Sequence, residues 1–192
     1  MRDADVAPRV QRAMSRLDRR AFLPPDQHRF ADADQPLPIG HEATCSQPST
    51  VARMLTLLDA RPGHRVLDVG SGSGWTTAIL AALVAPDGEV VGVELEPALV
   101  ETGRANLAAA GVTAAIEPAV PGTLGLPHLA PFERILVSAE SRRLPHALVD
   151  QLADGGRMVA PVHGRLVVAD LAGGELTTRA LGTYRFVPLR QP

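Results

Sequence analysis

The chain has 192 residues, a length that suits one domain and is short for two. Nineteen Lys and Arg against 21 Asp and Glu give a formal charge of −2, and only 3% of residues are aromatic. This balance excludes the basic footprint and the stacking platforms of a nucleic-acid binder, and also a basic membrane-surface protein. Cys45 is the single cysteine, so no intrachain disulfide and no Cys-rich metal site can form. Met1 to Arg20 is charged throughout, and no apolar run approaches the roughly 18 to 20 residues that cross a bilayer. The expectation is a cytoplasmic, monomeric protein.

Apolar residues at Val6, Val10, Met14, Leu17 and Phe22 predict an opening helix that Pro24 and Pro25 stop. Arg16, Arg19 and Arg20 are read as its solvated face rather than as phosphate contacts. Residues 26–48 carry no sustained period and read as a long loop, of the kind that is functional or disordered. Thr50 to Ala60 predicts an amphipathic helix capped by Ser49 or Thr50. Strand and helix then alternate: strand 65–69, helix 75–84, strand 89–93, helix 97–110, strand 112–116, strand 134–138, helix 144–152 ending at Asp154-Gly155-Gly156, and strand 157–162. Such alternation predicts a doubly wound, mostly parallel sheet with helices on both faces. Residues 165–171 and 176–187, around the turn 172–175, read as an antiparallel hairpin added to it.

Strand 65–69 runs into Asp68-Val69-Gly70-Ser71-Gly72-Ser73-Gly74-Trp75, which opens a helix. Glycines there let the backbone turn tightly and approach a ligand, and a helix N-terminus favours polar groups. A dinucleotide fingerprint would put its third glycine at position 75, where Trp75 stands; here that glycine is Gly74. Glu94 ends the second strand, with Leu95 beside it, and a carboxylate there can accept both hydroxyls of an adenosyl ribose. The set resembles the S-adenosylmethionine site of class I methyltransferases, with Asp68 helping to orient the cofactor. Asp68, Gly70, Ser71, Gly72, Gly74, Glu94 and Leu95 are therefore candidate cofactor residues. An NAD(P) oxidoreductase is the distant alternative.

Leu37-Pro38-Ile39-Gly40 with Ala43-Thr44-Cys45-Ser46-Gln47-Pro48 resembles the L-P-I-G…T-I-S-Q-P segment of the protein-L-isoaspartate O-methyltransferases. The run 16–24 is similar to their V-x-R-x-x-F-V-P opening, 151–162 to their Q-L-x-x-G-G-x-L-V-x-P-V strand, and Arg185-Phe186-Val187-Pro188-Leu189 to their R-F-V-P-L ending. The resemblance implies one methyltransferase domain over 1–192: N-terminal helices and a substrate and cofactor loop over 1–62, a cofactor core over 63–162, and C-terminal antiparallel strands over 163–192. It implies methyl transfer from S-adenosylmethionine to the α-carboxylate of L-isoaspartyl residues in damaged proteins or peptides. The ester then collapses to a succinimide that reopens partly to aspartate. Ser46 is thereby implied to hold the acceptor carboxylate, against the plain alternative of a cap ahead of Pro48. Thr44 and Cys45 are implied to line the pocket, with Cys45 a small buried hydrophobe in place of the family's Ile. His41, His128, His146 and His163 lack metal-ligand spacing.

Two departures accompany the resemblance. Val120-Pro121-Gly122 stands where the family carries G-D-G, making Pro121 and Gly122 candidates at the adenine edge. Ser138-Ala139-Glu140-Ser141-Arg142-Arg143 replaces T-A-A and adds charge at the mouth of the site. Two other readings remain open on sequence: a carboxyl methyltransferase for a dedicated peptide, and a non-catalytic adenosyl-binding relative.

Overall fold

The computed structural model describes residues 6–190; positions 1–5 and 191–192 of the expected terminal segments lie outside the described residues. Helix α1 runs from Val6 to Ser15 and buries Val6, Val10 and Ala13. It is shorter than its apolar spacing predicts. The Asp18 carboxylate accepts a hydrogen bond from Arg20 N–H (2.9 Å) and starts a separate 3-10 helix, Arg19–Phe22. A short polar side chain that bonds the local backbone in this way competes with helix continuation.

The stretch expected as a loop is ordered. It holds a 3-10 helix, Pro25–Phe30, and a two-stranded hairpin of β1 (Leu37–Gly40) and β2 (Ala43–Cys45). Helix α2 spans Pro48–Leu58, with Pro48 in its first turn, where a missing N–H costs nothing. Neither Ser49 nor Thr50 caps it. Asp34, 15 residues upstream, accepts from Ser49 N–H (2.8 Å) and from the Gln47 amide (3.0 Å). Both bonds favour its ionised form and lower its pKa.

The main sheet comprises β3 (Arg65–Val69), β4 (Glu89–Glu94), β5 (Ala115–Pro118), β6 (Phe132–Val137), β7 (Leu152–Val162), β8 (Arg165–Ala172) and β9 (Glu175–Leu181). Its order is β5-β4-β3-β6-β7-β8-β9, parallel from β5 to β7 and antiparallel beyond. Alternate residues face opposite ways. Val66 and Leu136 join one core with α1, α2, α3 (Trp75–Val84) and α4 (Pro97–Ala109); Leu67, Val69, Ile135 and Val137 join the other. Each fully buried aliphatic side chain contributes about 1.5–3 kcal/mol. Helix α3 is buried nearly all round, ends before Pro86, and hands over to β4 through a turn in which Gly88 N–H bonds Val84 O (3.0 Å).

The second face is covered differently from the expectation. The helix anticipated over 144–152 shrinks to α5, His146–Val149, and Asp154-Gly155-Gly156 lies inside β7. There β7 bulges: Phe132 pairs with Leu152, but Arg134 pairs with Arg157. Gly155 turns through φ +77°, and the Asp154 carboxylate accepts Gly173 N–H (2.6 Å). Gln151, 4% exposed, stops the helix by committing its side chain elsewhere. Its Oε1 accepts Leu126 N–H (2.8 Å), and its Nε2 donates to Leu124 O and Ala147 O. The third parallel strand sits at 115–118 rather than 112–116, and β9 ends at Leu181 rather than at 187. Beyond Gly182 the chain leaves the sheet edge and returns across the carboxyl ends of the strands, where Glu140 pairs with Pro188.

Candidate active site

Strand order reverses between β3 and β6, and a ligand crevice forms at such a switch point, beyond the strand carboxyl ends. Gly70 N–H bonds Val93 O (2.8 Å), and Ser138 N–H bonds Val69 O (2.8 Å), so the loops after β3, β4 and β6 are tied together. Gly70, Gly72 and Gly74 all adopt positive φ, at +79°, +54° and +90°. At Gly72 an added Cβ would stand 3.1 Å from Ile39 Cδ1 of the hairpin. Gly74 faces Gly103 of α4, whose own Cβ would stand 2.6 Å from Ile116 Cδ1 and 3.0 Å from Gly72 O. Asn106, one turn along α4, donates to Ser73 O (2.9 Å). The helix thus packs against bare backbone and holds the loop from behind.

Glu94 is 8% exposed. Its Oε2 accepts Gly72 N–H (2.9 Å), and its Oε1 accepts Leu95 N–H (2.7 Å) and Glu96 N–H (3.0 Å). These bonds fix the carboxylate at the edge of a cavity of about 200 Å³ lined by Gly70, Ser71, Gly72, Glu94, Leu95, Thr44, Cys45 and Ser46; the candidate Gly74 stands outside the lining, against α4. Ser71 belongs to the lining, but its hydroxyl turns away from the cavity toward Gly92 of β4. It is buried and is the orphaned side-chain polar atom among the described residues. A cradle of left-handed glycines, whose backbone an added Cβ would crowd, and a fixed carboxylate at the cavity edge fit an adenosyl ligand, whose ribose supplies hydroxyls for the carboxylate.

Asp68 does not line the cavity. It lies fully buried beneath it, accepting from Thr77 Oγ1 (2.7 Å) and Ser138 Oγ (3.4 Å). Burial pushes its pKa up from 3.8 to about 6, against the opposing effect of the Thr77 and Ser138 hydrogen bonds. The folded chain therefore holds a proton that the unfolded chain releases between those values. This contribution favours folding below about pH 4 and is lost as pH rises through 6, to a cost of at most about 3 kcal/mol. Asp68→Asn keeps an acceptor oxygen for one hydroxyl, meets the other with an amide N–H that this hydroxyl can accept, and removes the buried charge. It is expected to raise stability at pH 7 by about 1–2 kcal/mol and to flatten the decline between pH 4 and 6. Denaturant titrations of both proteins at pH 4.5 and 7 check this; an unchanged difference between the two pH values refutes it.

Pro121 and Gly122 are exposed and stand outside the cavity lining, which takes Ala119, Thr123, Leu124 and Gly125 from that loop instead. Glu117, the neighbouring carboxylate, sits 3.5 Å from His128, also outside the lining. The shift has a local cause. Ala119 N–H bonds Glu94 O (2.8 Å) and holds the start of the loop at the site, while Gly122 at φ +74° turns the tip outward.

Arg19 overturns its reading as a solvated residue. It is 5% exposed, and its guanidinium donates to the carbonyls of Ala31, Ala33, Gln35, Cys45 and Ser46 at 2.8–3.3 Å. Its Nε points to Cys45 Sγ (3.5 Å), and it lies 5.4 Å from the centre of the Trp75 ring. Trp75 in turn donates to Leu17 O (3.1 Å). The N-terminal segment, the hairpin and the glycine-loop helix are thereby locked together, presenting Thr44 and Ser46 over the cavity. Burial pushes the Cys45 thiol up, away from the thiolate. The cavity also takes Ser138, Ala139 and the returning segment Val187–Arg190, whose R-F-V-P-L pattern marked it without revealing its place.

The family described as Protein-L-isoaspartate(D-aspartate) O-methyltransferase (PCMT) matches residues 2–192. A protein-L-isoaspartate O-methyltransferase of Aeropyrum pernix is 50% identical over 155 residues, covering 80% of this chain and 60% of that one, so this chain spans under two thirds of that relative. The enzyme of the same name from Methanopyrus kandleri is 44% identical over 187 residues, covering 94% and 83%. Among solved structures, a Plasmodium falciparum protein described by the same activity, crystallised with S-adenosyl-L-homocysteine, superposes with a TM-score of 0.86 at 26% identity, covering 96% and 91%. With the match running from residue 2 to residue 192 and relatives at 44% and 50% identity, this chain belongs to the protein-L-isoaspartate O-methyltransferases, enzymes that depend on S-adenosylmethionine.

Proposed function

We infer that the chain methylates the α-carboxylate of L-isoaspartyl residues in aged proteins and peptides, as a cytoplasmic monomer. One observation carries this reading. Thr44, Ser46, Ser138 and Val187 line both the cofactor cavity and an adjoining one bounded by Pro36, Gln47, Thr50, Arg185 and Phe186. An acceptor in the second cavity therefore meets a cofactor in the first at Ser46.

The bound cofactor supplies a methyl group already activated on a sulfonium. The acceptor carboxylate is ionised at neutral pH, so no side chain has to remove a proton. The chain's own residues align and exclude water. Glu94 orients the ribose, and Ser71, Gly72 and Leu95 line its surroundings. The Ser46 hydroxyl holds the acceptor oxygen, with its backbone pinned by Arg19. Thr44 and Cys45 close the wall on that side.

An isoaspartyl peptide is expected to be methylated at least an order of magnitude faster than its aspartyl twin, a rate ratio worth about 1.4 kcal/mol or more. Ser46→Ala removes one positioned hydrogen bond, so it should lower kcat/KM by the equivalent of about 1–3 kcal/mol while cofactor affinity stays within about threefold. Radiolabel transfer to both peptides, with calorimetry for S-adenosylhomocysteine, tests this. Equal labelling of the two peptides would favour a dedicated peptide substrate, and labelling of neither a binding protein without turnover.

A further inference from the structure

We propose that Glu140 is a positioning residue: its side chain fixes the returning C-terminal segment as the shared wall of the two cavities. The inference rests on the methyl-transfer reading for its kinetic consequences, but not for its geometry. Val187, Pro188 and Leu189 line the cofactor cavity, and Arg185, Phe186 and Val187 line the adjoining one. This segment lies beyond the end of β9, so no sheet ladder holds it. Glu140 holds it instead. Its N–H donates to Val187 O (2.8 Å), its carbonyl accepts Leu189 N–H (2.7 Å), and the two strands form a single parallel bridge at Pro188.

Two backbone bonds on an isolated bridge are weak alone; Tyr184, Phe186 and Leu189 pack against the cores, and the Glu140 carboxylate adds a polar support. Its Oε1 accepts Gly164 N–H (2.8 Å) in the turn between β7 and β8. The carbonyl of the same Gly164 accepts Tyr184 N–H (2.8 Å), where the segment begins its return. One residue therefore braces both ends of the segment: Leu189 directly, and Tyr184 through Gly164. Ser141, its neighbour, donates to Pro161 O (3.1 Å) and accepts His163 N–H (3.0 Å), so the turn that receives the carboxylate is itself docked. Among the described residues Glu140 forms no ion pair with Arg142 or Arg143; its acceptor capacity is directed to the backbone.

The test compares Glu140→Ala and Glu140→Gln with the unaltered chain, because a glutamine oxygen can accept the same N–H. Glu140→Ala is expected to raise the acceptor KM about tenfold and the S-adenosylhomocysteine Kd about three- to tenfold, the scale of one lost charge-assisted bond, with kcat within about twofold. Amide exchange at Tyr184 and Leu189 should quicken about tenfold while amides of β3 and β6 keep their protection. Glu140→Gln should return KM, Kd and exchange to within about threefold of the unaltered chain. Unchanged KM, Kd and exchange in Glu140→Ala would overturn the proposal, as would a glutamine variant as impaired as the alanine one. If the unaltered chain methylates neither peptide, the acceptor assignment fails, whereas homocysteine-ligand affinity and amide exchange still decide the role of Glu140.

Discussion

Gly72→Val is expected to abolish binding of S-adenosylmethionine and S-adenosylhomocysteine, raising Kd at least on the order of 100-fold, or nearly 3 kcal/mol. Three effects act together. A β-branched residue at φ +54° is in a region that costs it at least about 1–2 kcal/mol. Its Cβ alone would sit 3.1 Å from Ile39 Cδ1, and its methyl groups must go either into the hairpin or into the cavity. Either choice drags on Gly72 N–H, one of the three donors that align Glu94 and the one that holds its Oε2. Calorimetry with both adenosyl ligands and with NAD checks the prediction. Near-normal adenosyl affinity in the variant, or selective NAD binding by the unaltered chain, would contradict the cradle as described.

Arg19→Met should destabilise the fold by about 3–5 kcal/mol, the size expected when a buried polar hub disappears. Five carbonyls from two separate stretches, 31–35 and 45–46, converge on this guanidinium, and methionine offers none of them a donor. Arg19→Lys should recover only part of the loss. A single ammonium has three donors at one point, whereas the planar guanidinium spreads its own across the set. Because Cys45 O and Ser46 O are among the five, the acceptor KM should rise in whatever fraction remains folded. Chemical unfolding followed by tryptophan fluorescence is apt, since Trp75 lies against the lost group. A loss below about 1 kcal/mol would mean that water readily replaces the arginine.

The glycine loop and Glu94 were legible because they obey local rules: a strand, a sharp turn that few side chains permit, and a helix start within ten residues. Helix Trp75–Val84 was legible to the residue for the same reason, with Gly74 ahead of it and Pro86 behind. Arg19 was not. Its partners lie 12 to 27 residues away, and nothing in the run Arg-Leu-Asp-Arg-Arg separates the buried arginine from its solvated neighbours. The helix expected over 144–152 failed on a tertiary choice, since Gln151 serves the loop at Leu124 and Leu126 rather than continuing a turn. Pro121 was placed at the adenine edge by counting from G-D-G; the backbone bond at Ala119 and the turn at Gly122 move the tip outward. Hairpin β1–β2 hid because four- and three-residue strands carry too few alternations to register.

The chain carries two Asp-Gly pairs, Asp87-Gly88 and Asp154-Gly155, the kind of sequence in which an isoaspartyl linkage forms through a succinimide. Ring closure at such a pair needs the glycine nitrogen to swing onto the aspartyl side chain, and glycine's freedom makes that swing easy in a loose chain. Both pairs sit in places that restrain it. Gly88 N–H is held by Val84 O in the turn after α3, so the nitrogen that would attack is already engaged. In the β7 bulge the other half of the reaction is held: the Asp154 carboxylate is clamped by Gly173 N–H across the β8–β9 turn. In the bulge that interrupts the β6–β7 ladder, this hydrogen bond thus restrains the side chain on whose movement such covalent decay depends.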